Sequence, residues 1–343
     1  MAKCKKMFVL YAETVLVMRV LIVGAAGMLG KRLALQIAKS GRIGERLVGE
    51  MLLADRVLPA SIAGAIYSES RSVEISQPES VAKLIEWRPD VVFHLAAIVS
   101  SDAESNFEKG YKINVEATWS ILETMKRLEL NSRFVFASSL AVFGEPFPEV
   151  VPDDFHLTPR SSYGSQKAIC EFLVSDYSRK GYVDGVSFRF PTIVVRPGSP
   201  NAAASGFLSS IIREPLKGIK AKLPVSLDTR VWIASPSVAI NSLLHAACLP
   251  SGRLAKYRSI SGRGISVSVA EMIQALRELA GPDVTALIEP CQDTEVERIV
   301  SSWPRAFSAD HARELGFPGD TSIHEIISTH MAENPTEPQA LAN

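Results

Sequence analysis

Little in this sequence points to a charged or extended partner. Lys plus Arg and Asp plus Glu number 37 each, so no net field draws the chain to nucleic acid or to an anionic membrane, and a small molecule is the expected ligand. Only four cysteines occur, Cys4, Cys170, Cys248 and Cys291. They are scattered and form no CxxC pair, so neither a zinc or other metal site nor a disulfide framework is expected, and a reducing cytoplasm suits them. No stretch approaches the ~18 continuous apolar residues that a membrane span requires. Lys3, Lys5 and Lys6 ahead of the apolar residues 7–12 imitate a secretory leader. Glu13 interrupts that run, no small-residue cleavage site follows, and the first strand begins at Met18. Residues 1–17 are therefore expected to be a disordered extension, as is the tail 331–343, which carries Pro335, Glu337 and Pro338. There is no internal repeat.

What is present is an alternation. Short runs that are apolar throughout, Val20-Leu21-Ile22-Val23, Met51-Leu52-Leu53-Ala54, Val91-Val92-Phe93-His94 and Phe134-Val135-Phe136-Ala137, are separated by helix-period segments at 29–40, 78–87 and 111–128. Strands without polar alternation are buried on both faces. The expected fold class is thus α/β, a doubly wound parallel-sheet Rossmann fold. Gly185-Val186-Ser187-Phe188-Arg189-Phe190 reads as one more such strand, after which the chain becomes rich in Pro, Gly and Ala. An NAD-binding domain over 18–190 is expected to be followed by a smaller C-terminal substrate lobe over 191–330, some of whose segments return to the sheet. In that half, residues 256–261 read as a strand and 267–280 as an amphipathic helix.

Gly24-Ala25-Ala26-Gly27-Met28-Leu29-Gly30 follows the first strand and opens the first helix. A GxxGxxG spacing in that position lets Gly24 make a tight turn, Gly27 admit a pyrophosphate and Gly30 pack the helix on the sheet, with Met28 and Leu29 lining the anion site. Asp55 ends the second strand, where a carboxylate accepts from ribose hydroxyls and repels a 2′-phosphate, so NAD is favoured over NADP; Arg56 beside it pulls the other way. Leu95, Ala96 and Ala97 follow the next strand with the small side chains that let a cofactor pass close. His94, inside an apolar strand, reads as a packed structural residue. Tyr163 and Lys167 stand four residues apart at a helix start and so project from one face. A lysine cation near the phenol, with a positive nicotinamide, is expected to lower its pKa and make it a proton carrier. Ser138-Ser139 end the strand before, and strand C-termini are where doubly wound sheets bind ligands.

Together the glycine turn, the YxxxK pair and a serine before Val142-Phe143-Gly144 resemble the extended short-chain dehydrogenase/reductase family. By that resemblance Ser139, not Ser138, is the catalytic hydroxyl, Tyr163 the general acid/base and Lys167 the residue holding the nicotinamide ribose. Asn114 matches the family's asparagine behind the active site, and Pro191 and Thr192 lie at the cofactor. The family usually has Asp near the adenine in the strand after Asp55; here Val73-Glu74-Ile75 stands in its place, making Glu74 and Ile75 the expected adenine neighbours.

The lobe carries a narrower likeness. Pro200-Asn201-Ala202-Ala203-Ala204-Ser205-Gly206-Phe207, Ile212-Arg213-Glu214-Pro215-Leu216 and Leu223-Pro224-Val225 resemble the D-erythronate dehydrogenase family, over residues 18–317. That likeness implies NAD-dependent oxidation of a four-carbon sugar acid at its C2 hydroxyl. Cations or polar donors for the carboxylate are expected from Arg230, Asn201 and Ser100, beside Ser139 and Tyr163. The alternative is a nucleotide-sugar 4-epimerase using the same triad, against which stands the absence of that group's asparagine from Phe190-Pro191-Thr192. A non-catalytic NAD sensor on this fold would have no need of the triad. Relatives commonly pair through the helices beginning near Tyr111 and Tyr163, which makes a homodimer the expected assembly.

Overall fold

Strand residues that are apolar on both faces must be covered on both, and the sheet is built accordingly. The structure, a computed structural model, describes residues 17–64, 66–198, 204–254 and 257–335. Its main sheet runs in the order Ser259–Ser261, Asp184–Phe190, Arg133–Ser139, Val91–His94, Met18–Val23, Arg46–Asp55, with Tyr67–Ser72 beyond, all parallel. The short strand Arg42–Ile43 folds back antiparallel on Arg46–Asp55. In chain order the principal strands read 3-2-1-4-5-6-7, so the direction of winding reverses between Met18–Val23 and Val91–His94 and opens a crevice at their C-terminal ends. Val20, Ile22, Met51 and Leu53 pack one way with Leu33, Ile37, Leu243 and Phe317. Leu21, Val23, Leu52 and Ala54 pack the other way with Val81, Ile121, Leu122 and Val174. Successive side chains thus feed opposite layers, which is why the runs show no polar alternation.

Beyond Phe190 a second set of elements forms its own core. Thr192–Ile193, Arg230–Ala234 and Ile265–Ser268 make a three-stranded sheet, and Ala221–Leu223 pairs with Ile288–Pro290. Helices Gly206–Leu216, Val269–Ala280 and Ile323–Glu333 close on them around Leu208, Ile211, Val231, Met272 and Ile327. Helix Pro236–Cys248 and strand Ser259–Ser261 return to the large sheet.

Several boundaries differ from expectation for local reasons. Residues 73–75 lie past a strand end; the strand there is Tyr67–Ser72, whose sequence Tyr-Ser-Glu-Ser-Arg-Ser suits a partly exposed edge and shows no apolar signature. The segment 111–128 begins as a π-turn, Tyr111–Glu116, before its α-helix Ala117–Arg127. Ser268 and Glu271 form a capping box, so the helix starts at Val269 and the residues before it are strand. In the C-terminal tail Met331 and Glu333 still belong to a helix. Residues 1–16 and 336–343 lie outside the described residues. Among the described residues no helix is long and apolar enough to cross a membrane, and no cluster of His, Cys, Asp or Glu is arranged to hold a metal.

Candidate active site

The glycine turn is shaped from within at two positions and left open at the third. Gly24 has φ +94°, and a Cβ there would lie 2.5 Å from Ala96 N; one on Gly30 would lie 2.2 Å from Gly24 O. Gly27 is exposed, its Cβ position meets only Gly24 O at 3.3 Å, and it N-caps helix Met28–Ser40 with no side chain capping the first turn. The first-turn N–H groups at Met28, Leu29 and Gly30 therefore point to a site that an anion fits. Asp55 Oδ2 accepts from Ala26 N at 3.1 Å and Oδ1 from Val57 N at 3.2 Å, tying the second strand's carboxylate to the turn. Leu95 N donates to Val23 O at 2.8 Å, and Ala96 lies under Gly24. Together the open turn and the carboxylate tied to it fit a dinucleotide.

Three residues expected at the cofactor, Glu74, Ile75 and Asn114, have partners within the protein. Glu74 is exposed in a turn and accepts from its own Ser76 N at 3.2 Å, while Ile75 is buried among Val23, Leu52 and Val81. Asn114 is buried, not solvent-facing: Oδ1 accepts from Ile98 N at 3.0 Å, and Nδ2 donates to Ile98 O at 3.1 Å and Gln166 Oε1 at 2.7 Å. It holds the loop that follows Val91–His94 to the helix carrying Gln166. His94 is fully enclosed, bonds Thr118 Oγ1 at 2.9 Å, and is pushed down to about 3 by burial and then by the Lys167 charge.

Ser161 caps helix Ser162–Arg179 by accepting from Gly164 N at 3.1 Å, so Tyr163 falls in the first turn. A Cβ on Gly164 would lie 2.1 Å from Ala141 O, so this helix start is pressed against the turn that follows Ser139. Ser139 is one of the side chains that act on the Tyr163 phenol, and its own Oγ accepts from Ala141 N at 3.2 Å. Lys167 is buried one turn further on, its Nζ donating to Ala137 O at 2.7 Å, 4.6 Å over the Phe136 ring and 5.6 Å from the Tyr163 ring. The adjacent serines diverge as strand residues must. Ser138 Oγ donates to the buried carboxylate of Glu171 at 2.5 Å, and Glu171 is held by Arg189 at 2.7 Å.

The electrostatics depart from the simplest lysine-driven picture. Burial pushes the Tyr163 phenol up to about 12, against which the Ser139 hydroxyl and then the Arg196 charge pull it down. Burial pushes Lys167 down to about 8. In the protein by itself desolvation outweighs the neighbouring cations, so Tyr163 is a neutral phenol, and the cation that opposes this is Arg196, a residue the sequence did not mark.

Of the expected substrate contacts, Arg230 is turned away: it is partly exposed, 3.2 Å from Glu271 and 3.1 Å from Ser266 O. Ser100 begins helix Ser100–Ser105, and Asn201 lies outside the described residues. Pro191 is buried, and Thr192 pairs with Ile233 in the small sheet. Phe190 is in register with Ser139, so the chain leaves the large sheet beside that serine.

Residues 20–233 match the model of the NAD dependent epimerase/dehydratase family. The chain belongs to that family. Within it, the enzyme is similar to a D-erythronate dehydrogenase of Cupriavidus necator, 43% identical over 92% of this chain and 98% of the relative. It is similar also to a D-erythronate dehydrogenase of Haemophilus influenzae, 40% identical over 90% and 98%. Among solved structures it is similar to one described as a nucleoside-diphosphate-sugar epimerase from Agrobacterium tumefaciens, with TM-score 0.91 and 45% identity over 93% and 94% of the two chains. A GalE-like L-threonine dehydrogenase from C. necator, at 23% identity and TM-score 0.80, shares the fold.

Proposed function

We propose that this enzyme oxidises a small 2-hydroxy sugar acid, D-erythronate, at C2 to 2-dehydro-D-erythronate with NAD as acceptor, in the cytoplasm. The observation that carries the reading is the buried Lys167 ammonium, 5.6 Å from the Tyr163 ring and bonded to Ala137 O two residues before Ser139, at the C-terminal end of the sheet that also bears the open glycine turn. The two relatives at 40–43% identity are each named D-erythronate dehydrogenase, and each is matched over nearly its whole length.

NAD, when bound, supplies the hydride acceptor and a positive charge. Gly27, Met28, Leu29 and Gly30 hold its pyrophosphate, Asp55 its adenosine ribose, and Lys167 its nicotinamide ribose. Ser139 orients the substrate hydroxyl. Tyr163 takes the hydroxyl proton once added positive charge has brought its phenol down from about 12. Lys167, already down to about 8, passes that proton on toward solvent. Residues 18–190 act as the NAD-binding domain and 191–330 mainly as the substrate lobe. Trp119 and Phe172, both exposed on helices Ala117–Arg127 and Ser162–Arg179, suit a homodimer face, which sedimentation of the purified protein checks.

The name of the Agrobacterium neighbour supports a second reading, a nucleotide-sugar epimerase. Phe190-Pro191-Thr192 lacks the asparagine of that class. NADH formation with NAD and a panel of sugar acids, run beside sugar nucleotides, separates the two. Turnover on D-erythronate is expected. No NADH on any acid, with a sugar nucleotide inverted, would replace the first reading by the second.

A further inference from the structure

Three arginines whose side chains are at most 10% exposed come with carboxylates. Arg133 pairs with Asp184 at 2.8 Å, Arg189 with Glu171 at 2.7 Å and Arg213 with Glu214 at 2.6 Å. Arg196 does not follow the pattern. Its Nε donates to Ile193 O at 3.0 Å and its Nη2 to Ser205 Oγ, and no ion pair among the described residues includes it. Its own backbone is clamped, N by Ser209 Oγ at 3.0 Å and O by the Arg213 guanidinium. Arg196 is half-buried, and a guanidinium partly withdrawn from water with no carboxylate beside it is left open to an anionic ligand.

Its position gives the ligand. Phe190 stands beside Ser139 in the sheet register, and the chain that leaves there is folded back on itself by the Arg196–Ile193 bond. The Arg196 cation is in turn one of the charges felt by the Tyr163 phenol. A guanidinium near enough for the phenol to feel its charge meets an anion most readily where that anion is next to the reacting carbinol. In a 2-hydroxy acid the carboxylate is bonded directly to that carbon. In a sugar nucleotide the nearest anion, the pyrophosphate, lies across the sugar ring from the position a 4-epimerase oxidises.

We infer that Arg196 is the carboxylate anchor of the active site, the residue that selects 2-hydroxy acids over neutral polyols and sugar nucleotides. This deepens the proposed dehydrogenase reading and rests on it. Nε and Nη2 are fixed by protein oxygens, which preorganises the rest of the planar fork for a carboxylate.

The test is equilibrium binding by calorimetry, with NADH present to prevent turnover, of D-erythronate and of its neutral amide to the full-length protein and to Arg196→Gln and Arg196→Lys. Wild type is expected to favour acid over amide. Arg196→Gln is expected to bind the acid about 10- to 150-fold more weakly, the loss of one charged hydrogen-bonding partner, with the amide and NADH affinities little changed. Arg196→Lys should fall between, keeping the charge and losing the fork. Wild type binding acid and amide alike overturns the inference even if Arg196→Gln does not fold, and so does a well-folded Arg196→Gln that keeps full acid affinity; either leaves the dehydrogenase reading intact if NADH still forms on the acid. Failure of wild type to bind or turn over any acid, with a sugar nucleotide processed, overturns both.

Discussion

The ion pair beneath Ser139 offers a severe test of how this site is held. Glu171 is buried on helix Ser162–Arg179, with Oε1 accepting from Ser138 Oγ at 2.5 Å and Arg189 Nε at 2.9 Å, and Oε2 accepting from Arg189 Nη2 at 2.7 Å. The Arg189 side chain is only 7% exposed and lies 4.8 Å from the Phe143 ring, with Ser261 Oγ at 3.4 Å as its remaining partner. Glu171→Ala therefore strands a guanidinium between sheet and helix, and a cost of about 3–5 kcal/mol is expected. Replacing both partners, Glu171→Leu with Arg189→Met, removes the stranded charge. What remains is the Ser138 hydroxyl without its acceptor, about 1 kcal/mol, which Ser138→Ala then removes. Chemical denaturation midpoints for the single, double and triple variants measure this series. A double variant as unstable as the sum of the two singles would refute the reasoning, because the pair would then be a net source of stability and not two mutually compensating liabilities.

Tyr163→Phe is expected to lower kcat by about 10²- to 10⁴-fold while NAD affinity, read by fluorescence titration, stays near wild type, since only the proton carrier is removed. Gly27→Ala should melt close to wild type, its Cβ meeting only Gly24 O at 3.3 Å, yet bind NAD much more weakly; Gly24→Ala, 2.5 Å from Ala96 N at φ +94°, should lose stability as well. Melting curves beside NAD titrations check the pair. Burial holds His94 neutral down to about 3 against an ordinary 6.5, so between those values the unfolded chain binds the extra proton and stability falls as pH falls. From pH 6.5 to about pH 5 that amounts to about 2 kcal/mol. His94→Gln should flatten this part of the stability–pH curve, and an unchanged slope would show that other groups carry it.

The sequence disclosed most where a single physical rule acts without competition. Val20-Leu21-Ile22-Val23 and its counterparts are apolar on both faces because the sheet is covered twice, and the glycine turn falls where the first of these strands ends. Tyr67–Ser72 was invisible because an edge strand with polar residues carries no such pattern. The π-turn Tyr111–Glu116, which aims Asn114 at Ile98 and Gln166, depends on tertiary contacts that no periodicity encodes. Ser138 and Ser139 could be told to face opposite ways by their place on a strand, but only the buried Glu171 on one side and Tyr163 on the other says which is which. Arg230 was the arginine that stood out in sequence and Arg196 was not; Glu271 occupies the first, and the second is folded back on Ile193 where its charge acts on the Tyr163 phenol.

The most direct check on the central claim is the fate of deuterium placed at C2 of D-erythronate. Turnover in the presence of NAD is expected to yield the 2-keto acid with the deuterium recovered in NADH, and to run at least about 10²-fold more slowly with Tyr163→Phe. Deuterium retained on a carbon product, or a dehydrogenation located at any other carbon, would contradict it.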